Sequence, residues 1–203
     1  MSGEWTTLSL PDRLEHLFGL ISSPRFLQNQ GIGNEVPFFI CPFKPGEAVE
    51  MARLQRQLFK RLTQSNIRVL DVNLYDLCLK ILEREGDLGW LIENEAEMNK
   101  SRLREELQGI IDVERVLVPE IATRMAATEF DVMFLAGVGE VFPYIRSHNV
   151  LNNLQSTAKS QPTVMFFPGA YTHSLESGAS LDLFGRLHDD KYYRAFNIFD
   201  CQF

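Results

Sequence analysis

A chain of 203 residues with 45% hydrophobic and 23% charged side chains has the make-up of an ordinary folded protein, and the length fits one domain better than two. At this size folding buries roughly 70% of the surface that the unfolded chain exposes, so neither disulfides nor a structural metal is needed to hold a core. The formal charge of −7, with no run of Lys or Arg, argues against unaided binding to a nucleic-acid backbone, whose phosphates basic side chains must neutralise.

The first helix opens at Ser9-Leu10-Pro11-Asp12, where Pro11 suits a first turn and Asp12 suits the positive end of the helix dipole. Leu10, Leu14, Leu17, Phe18 and Ile21 recur at helical spacing, and Ser23-Pro24 ends the helix. Residues 26–35, with Gly31 and Gly33, read as a loop. Residues 38–41, inside the apolar run VPFFICPF, read as a buried strand. A helix follows over 45–62, with Met51, Leu54, Leu58 and Leu62 on one face, and then a strand over 67–72. Residues 74–85 are helical, with Leu74, Leu77, Cys78, Ile81 and Leu82 inward. The charged stretch 83–118 carries two further helical pieces and is expected to be an insertion on one edge. A helix over 112–127 contains Pro119, so it must kink or start late. Residues 131–136 form a strand, the chain after Pro143 is helical to Leu154, 163–167 form a strand, and 193–199 add a last one. Strands that are near-continuous apolar runs and alternate with helices predict an α/β fold: a mostly parallel sheet covered by helices on both faces, in three layers, as one domain over 1–203.

Cys41, Cys78 and Cys201 match no CxxC or zinc spacing. Their odd number predicts reduced thiols. The N-terminal MSGEWTTLSLPDRLEHLF lacks the basic and apolar regions of a signal peptide. No apolar run approaches the roughly 20 residues of a membrane helix. A cytoplasmic protein without membrane contact is expected.

In an open parallel sheet, ligands bind beyond the carboxyl ends of the strands. Pro42-Phe43-Lys44, Asp71-Val72-Asn73, Gly137-Val138-Gly139-Glu140 and Pro168-Gly169-Ala170-Tyr171 leave the strands there. Gly and Pro punctuate such loops in any α/β protein. The sharper possibility is a crevice formed by Asn34, Glu35, Asp71, Gly137, Gly139, Glu140, Arg146 and His148. Gly137-x-Gly139 follows a strand as a phosphate-cradling turn would, but Phe142 stands where the third glycine of the dinucleotide fingerprint belongs. The chain has no G-x-x-x-x-G-K-[ST], no G-x-S-x-G and no HExxH. No catalytic residue, metal ligand or cofactor is therefore assigned. His148, beside Asn149, Asn152 and Asn153, fits helix capping as well as ligand contact. Tyr192, Tyr193, Arg194 and Phe196 are residue types of binding hot spots and form a candidate partner interface. Strand alternation would leave only part of this run facing out.

Five stretches together carry a family resemblance: SSPRFLQNQGIGNEVPFFI (22–40), IRVLDVNLYDLCLKILE (67–83), FLAGVGEVFPYIRSHNVLNNLQ (134–155), VMFFPGAY (164–171) and LFGRLHDDKYYRAF (183–196). The chain resembles the BrxB family of bacterial BREX phage-defence systems, over nearly its whole length and least between 83 and 118. The resemblance implies a small component encoded beside a methyltransferase, a large ATPase and a phosphatase-like PglZ protein, in a system that tells host from phage DNA. It supplies no catalytic residues. It implies a non-catalytic adaptor whose leading partner is a PglZ-like protein, with other BREX components possible. The alternative is a ligand or nucleotide sensor, or a metal-dependent hydrolase, using the carboxyl edge of the sheet.

Overall fold

Serines set the first two helices. In the computed structural model, which describes residues 8–30, 37–174, 178–184, 187–189 and 195–201, Ser9 Oγ accepts the Asp12 amide at 3.3 Å and caps α1 (Leu10–Ile21). Ser23 Oγ accepts the Phe26 amide at 3.2 Å and caps the single turn α2 (Pro24–Leu27). Each side chain satisfies an amide that the helix itself leaves unpaired. β1 (Phe38–Phe43) is buried at every position. A 3-10 turn (Pro45–Glu47) leads into α3 (Ala48–Gln64), which buries Met51, Leu54, Leu58 and Leu62. β2 (Val69–Asn73) runs directly into α4 (Leu74–Glu85). The charged region holds α5 (Asp87–Asn94) and α6 (Lys100–Ile110). α6 buries no residue fully; its Leu103 and Leu107 only lean on the core.

The helix that contains Pro119 starts late. A π-type turn (Val113–Leu117) precedes α7 (Val118–Ala127), so Pro119 falls in a first turn, where its missing N–H costs nothing. β3 (Val132–Ala136), α8 (Ser147–Leu154), β4 (Thr163–Ser174), β5 (Gly178–Leu183), β6 (Leu187–Asp189), β7 (Ala195–Asn197) and a 3-10 turn (Ile198–Asp200) complete the order.

The parallel sheet runs β2-β3-β4-β1-β7. Its pleat sorts side chains between two cores. Phe38, Ile40, Val72, Met133, Leu135, Met165 and Phe167 meet α4, α7 and α8 on one face. Phe39, Cys41, Phe43, Val132, Phe134, Val164 and Phe166 meet α1 and α3 on the other. This is the expected three-layer α/β arrangement, and it explains why the strands are apolar at consecutive positions.

The fourth strand is longer than its apolar run suggests. Pro168-Gly169 looks like a turn, but β4 passes straight through it. Through Pro168 the strand pairs in parallel with β1, and at 163–165 with β3; from Gly169 it pairs antiparallel with β5, and β5 with β6. A Cβ on Gly169 would collide with the Asp182 carbonyl of β5. Glycine here permits close pairing across strands. At the tail, the expected strand appears as the short β7, parallel to β1. Among the described residues, no helix is long and apolar enough to cross a membrane.

An apolar crevice at the carboxyl edge of the sheet

The connections after β1 and β3 leave on opposite faces. β1 feeds α3, on the face of α1, whereas β3 feeds α8, on the face of α4 and α7. A split of this kind opens a crevice above the strand between them. Here that strand is β4, and a cavity of about 190 Å³ lies over its Phe166 and Pro168. Phe43, Pro45, Ala48, Met51, Ala52 and Gln55 wall it on the β1–α3 side; Asn73, Ala136, Gly137, Val138, Gly139 and Glu140 wall it on the β2–β3 side; Phe184 closes the rim.

Asn73 ends β2 and starts α4. Its Oδ1 accepts the amides of Tyr75 at 2.9 Å and Asp76 at 3.2 Å. Gly137 passes over this cap at φ +76°, where a Cβ would lie 2.9 Å from the Tyr75 nitrogen and 3.0 Å from that of Leu74. No other residue lets the chain leave β3 so close to α4. A Cβ on Gly139 would press on Pro168 at 3.0 Å and on the Phe184 ring at 3.4 Å. Between the two glycines, Val138 is buried in the core. The Gly-Val-Gly turn is therefore a packing device. Two amides of the first turn of α4, those of Tyr75 and Asp76, are bonded to Asn73.

Asp71, exposed on β2, accepts a 2.9 Å hydrogen bond from Gln55 Nε2, which ties it to the α3 wall. Partial desolvation pushes its carboxyl above the usual range; the Gln55 bond opposes this and the like charge of Asp76 adds to it. On the other side, Arg13 of α1 is 3% exposed and donates to Glu47 at 2.7 Å, fixing the turn that opens α3. That hydrogen bond holds the Glu47 carboxyl below its usual range.

The thiols are poor nucleophiles. Burial pushes Cys41 and Cys78 up to about 12 and Cys201 up to about 11. A thiol must ionise to react. Among the described residues, no three His, Cys, Asp or Glu side chains group so as to hold a metal ion.

Of the residues singled out in the sequence, Gly137, Gly139 and Glu140 line the crevice, and Asp71 stands behind it through Gln55. Arg146 is exposed and His148 half-buried at the start of α8; neither is in the lining. The N-cap residue of α8 is Arg146, which makes no side-chain cap hydrogen bond. Asn34 and Glu35 lie outside the described residues, and the described chain enters β1 at Pro37, on the amino edge. Tyr192, Tyr193 and Arg194 also lie outside them. Phe196 packs against the α1–α3 core, its ring 5.9 Å from that of Phe39. The α3 wall and Phe184 had no local signal: they reach the crevice only through the β1–α3 crossover and the β4–β5 pairing.

The chain matches the family model described as BREX protein BrxB over residues 70–198. A protein of Bacillus cereus (strain H3081.97), named BREX protein BrxB, is 36% identical over 196 residues, covering 93% of this chain and 97% of that relative. One of Escherichia coli O9:H4 (strain HS), with the same name, is 26% identical over 186 residues, covering 92% of this chain and 90% of its own. No solved structure matches.

Proposed function

Because this chain belongs to the BrxB family of BREX proteins, we propose that it is a non-catalytic adaptor of a BREX phage-defence complex, acting in the cytoplasm by holding a PglZ-like, phosphatase-fold partner. The observation that carries this reading is the character of the carboxyl edge. The place where an α/β enzyme keeps its reactive groups is here walled mainly by Phe, Met, Pro, Ala and Gly; of its polar lining residues Asn73 caps α4 and Gln55 holds Asp71, and Glu140 is the one carboxylate among the described lining residues. Apolar surface at an edge suits binding of another protein. A nucleotide sensor would need amides free for phosphate, and Asn73 takes up two of those in the first turn of α4.

The test is affinity capture of the tagged protein from a host that carries its own BREX locus, with identification of what is retained. The PglZ-like protein is expected at near-equal amount. Retention of no BREX component would remove the proposal.

A further inference from the structure

We propose that the carboxyl-edge crevice docks a partner protein segment that inserts one aromatic ring or branched aliphatic side chain between Met51, Phe166 and Phe184 and sets a Lys or Arg against Glu140 and Asp71. This inference rests on the adaptor function proposed above and gives that function an address.

Size selects the inserted group. An apolar protein cavity of roughly 150 Å³ accepts a benzene ring, whereas sites for drug-sized ligands start near 300 Å³. At about 190 Å³ the enclosed part of the crevice matches one ring or one branched chain.

The rim selects a polypeptide over a free small molecule. The described residues include six exposed large apolar side chains, and three of them, Val49, Tyr75 and Phe184, stand at this edge in the first turns of α3 and α4 and at the end of β5. An occupant confined to the cavity would touch Phe184 and leave Val49 and Tyr75 in water; a chain crossing the rim covers all three. Phe184 is held in the left-handed region at φ +56°, which a β-carbon disfavours and glycine does not. Its amide donates to the Pro168 carbonyl at 2.9 Å, and its ring meets Phe142 edge-on at 6.0 Å. Strained backbone at a rim marks a side chain kept for its surface.

Charge selects the flanking group. Glu140 lines the crevice, Asp71 is bonded to its Gln55 wall, and Asp76 opens α4. Lys44, where the chain leaves β1, interacts with Glu47. An acidic rim around an apolar hole complements a basic residue beside an apolar anchor.

The test is calorimetric titration of the full-length protein, as parent and as variants, into the purified PglZ-like protein of the same BREX locus, with thermal melting to establish that each variant is folded. Ala52→Phe, at an exposed helical position of the wall, fills the cavity and is expected to weaken binding at least about 30-fold. Glu140→Lys and Phe184→Ala, which leave the cavity open, are expected to weaken it about tenfold. Ile92→Ala on α5, away from this edge, is expected to bind within about twofold of the parent. Parent-like affinity in folded Glu140→Lys and Phe184→Ala, with or without a folded Ala52→Phe, overturns the docking site and leaves the adaptor function standing. No binding by the parent overturns both. Adenosine or ATP that raises the melting temperature of the parent but not of Ala52→Phe would make the crevice a free-ligand site and also overturn the proposal.

Discussion

Gly137 shows how a single residue type settles a whole corner of the molecule. Its left-handed φ and its contact with the Asn73 cap leave no place for a methyl group. Gly137→Ala is expected to destabilise the fold by about 2 kcal/mol, since left-handed backbone and crowding act together, as measured by urea unfolding. Asn73→Ala removes the cap and is expected to cost about 1 kcal/mol. The Arg13–Glu47 pair carries a pH signature. The Glu47 carboxyl is lower when folded than its ordinary 4.5, so its stabilisation is complete above that value and is lost as pH falls through the folded one. Glu47→Gln should therefore destabilise at pH 7 by about 2 kcal/mol, less than a fully buried pair because Glu47 keeps 28% of its surface in water. The difference from the parent should shrink below pH 4. Asp71 has the opposite sign. Its carboxyl is raised in the fold, a contribution favourable below its unfolded value and lost as pH rises through the folded one. Asp71→Asn is accordingly expected to raise stability at pH 7 and not at pH 3. At this scale the sequence exposed Gly137, Gly139 and Glu140 because turn-formers after an apolar strand are local signals. It did not expose Met51, Gln55 or Phe184, which are distant in the chain and adjacent only once folded.

At the scale of elements, the apolar runs placed β1, β3 and the first half of β4 within about two residues, because burial on both sheet faces leaves an unbroken hydrophobic signature. β2 starts later than its run, at Val69, since Asp131 accepts the Arg68 amide at 2.8 Å and holds the entry to that strand outside the ladder. The antiparallel arm was hidden. Pro168-Gly169 has turn composition, and only the Asp182 carbonyl packed against Gly169 reveals that the strand continues. Gly169→Ala should therefore loosen the β4–β5 pairing while sparing the parallel sheet. Hydrogen exchange is expected to speed up over 169–174 and 178–183 and to stay unchanged over 38–43 and 132–136. Uniform acceleration across both regions would show that the arm and the sheet unfold as one unit.

For the whole molecule, two cores flank one sheet, and the connections after β1 and β3, leaving on opposite faces, open an apolar crevice where related architectures keep chemistry. The three-layer fold followed from periodicity alone. The family resemblance in the sequence agrees with the match over 70–198 and with relatives aligned over more than nine-tenths of the chain. The crevice's walls could not be read ahead of the fold, because Phe43, Ala52 and Pro168 come together through long-range strand pairing. Purified protein is expected to turn over no ATP, since no Lys-bearing phosphate loop exists in the sequence. ATPase activity that survives further purification and is lost in Glu140→Ala would contradict this. The proposed role is the holding of a partner, and sedimentation velocity of the purified protein mixed with the proposed PglZ-like partner tests it most directly. One faster boundary containing both chains at micromolar concentration is expected; two independent boundaries at the rates of the separate proteins would contradict the adaptor role.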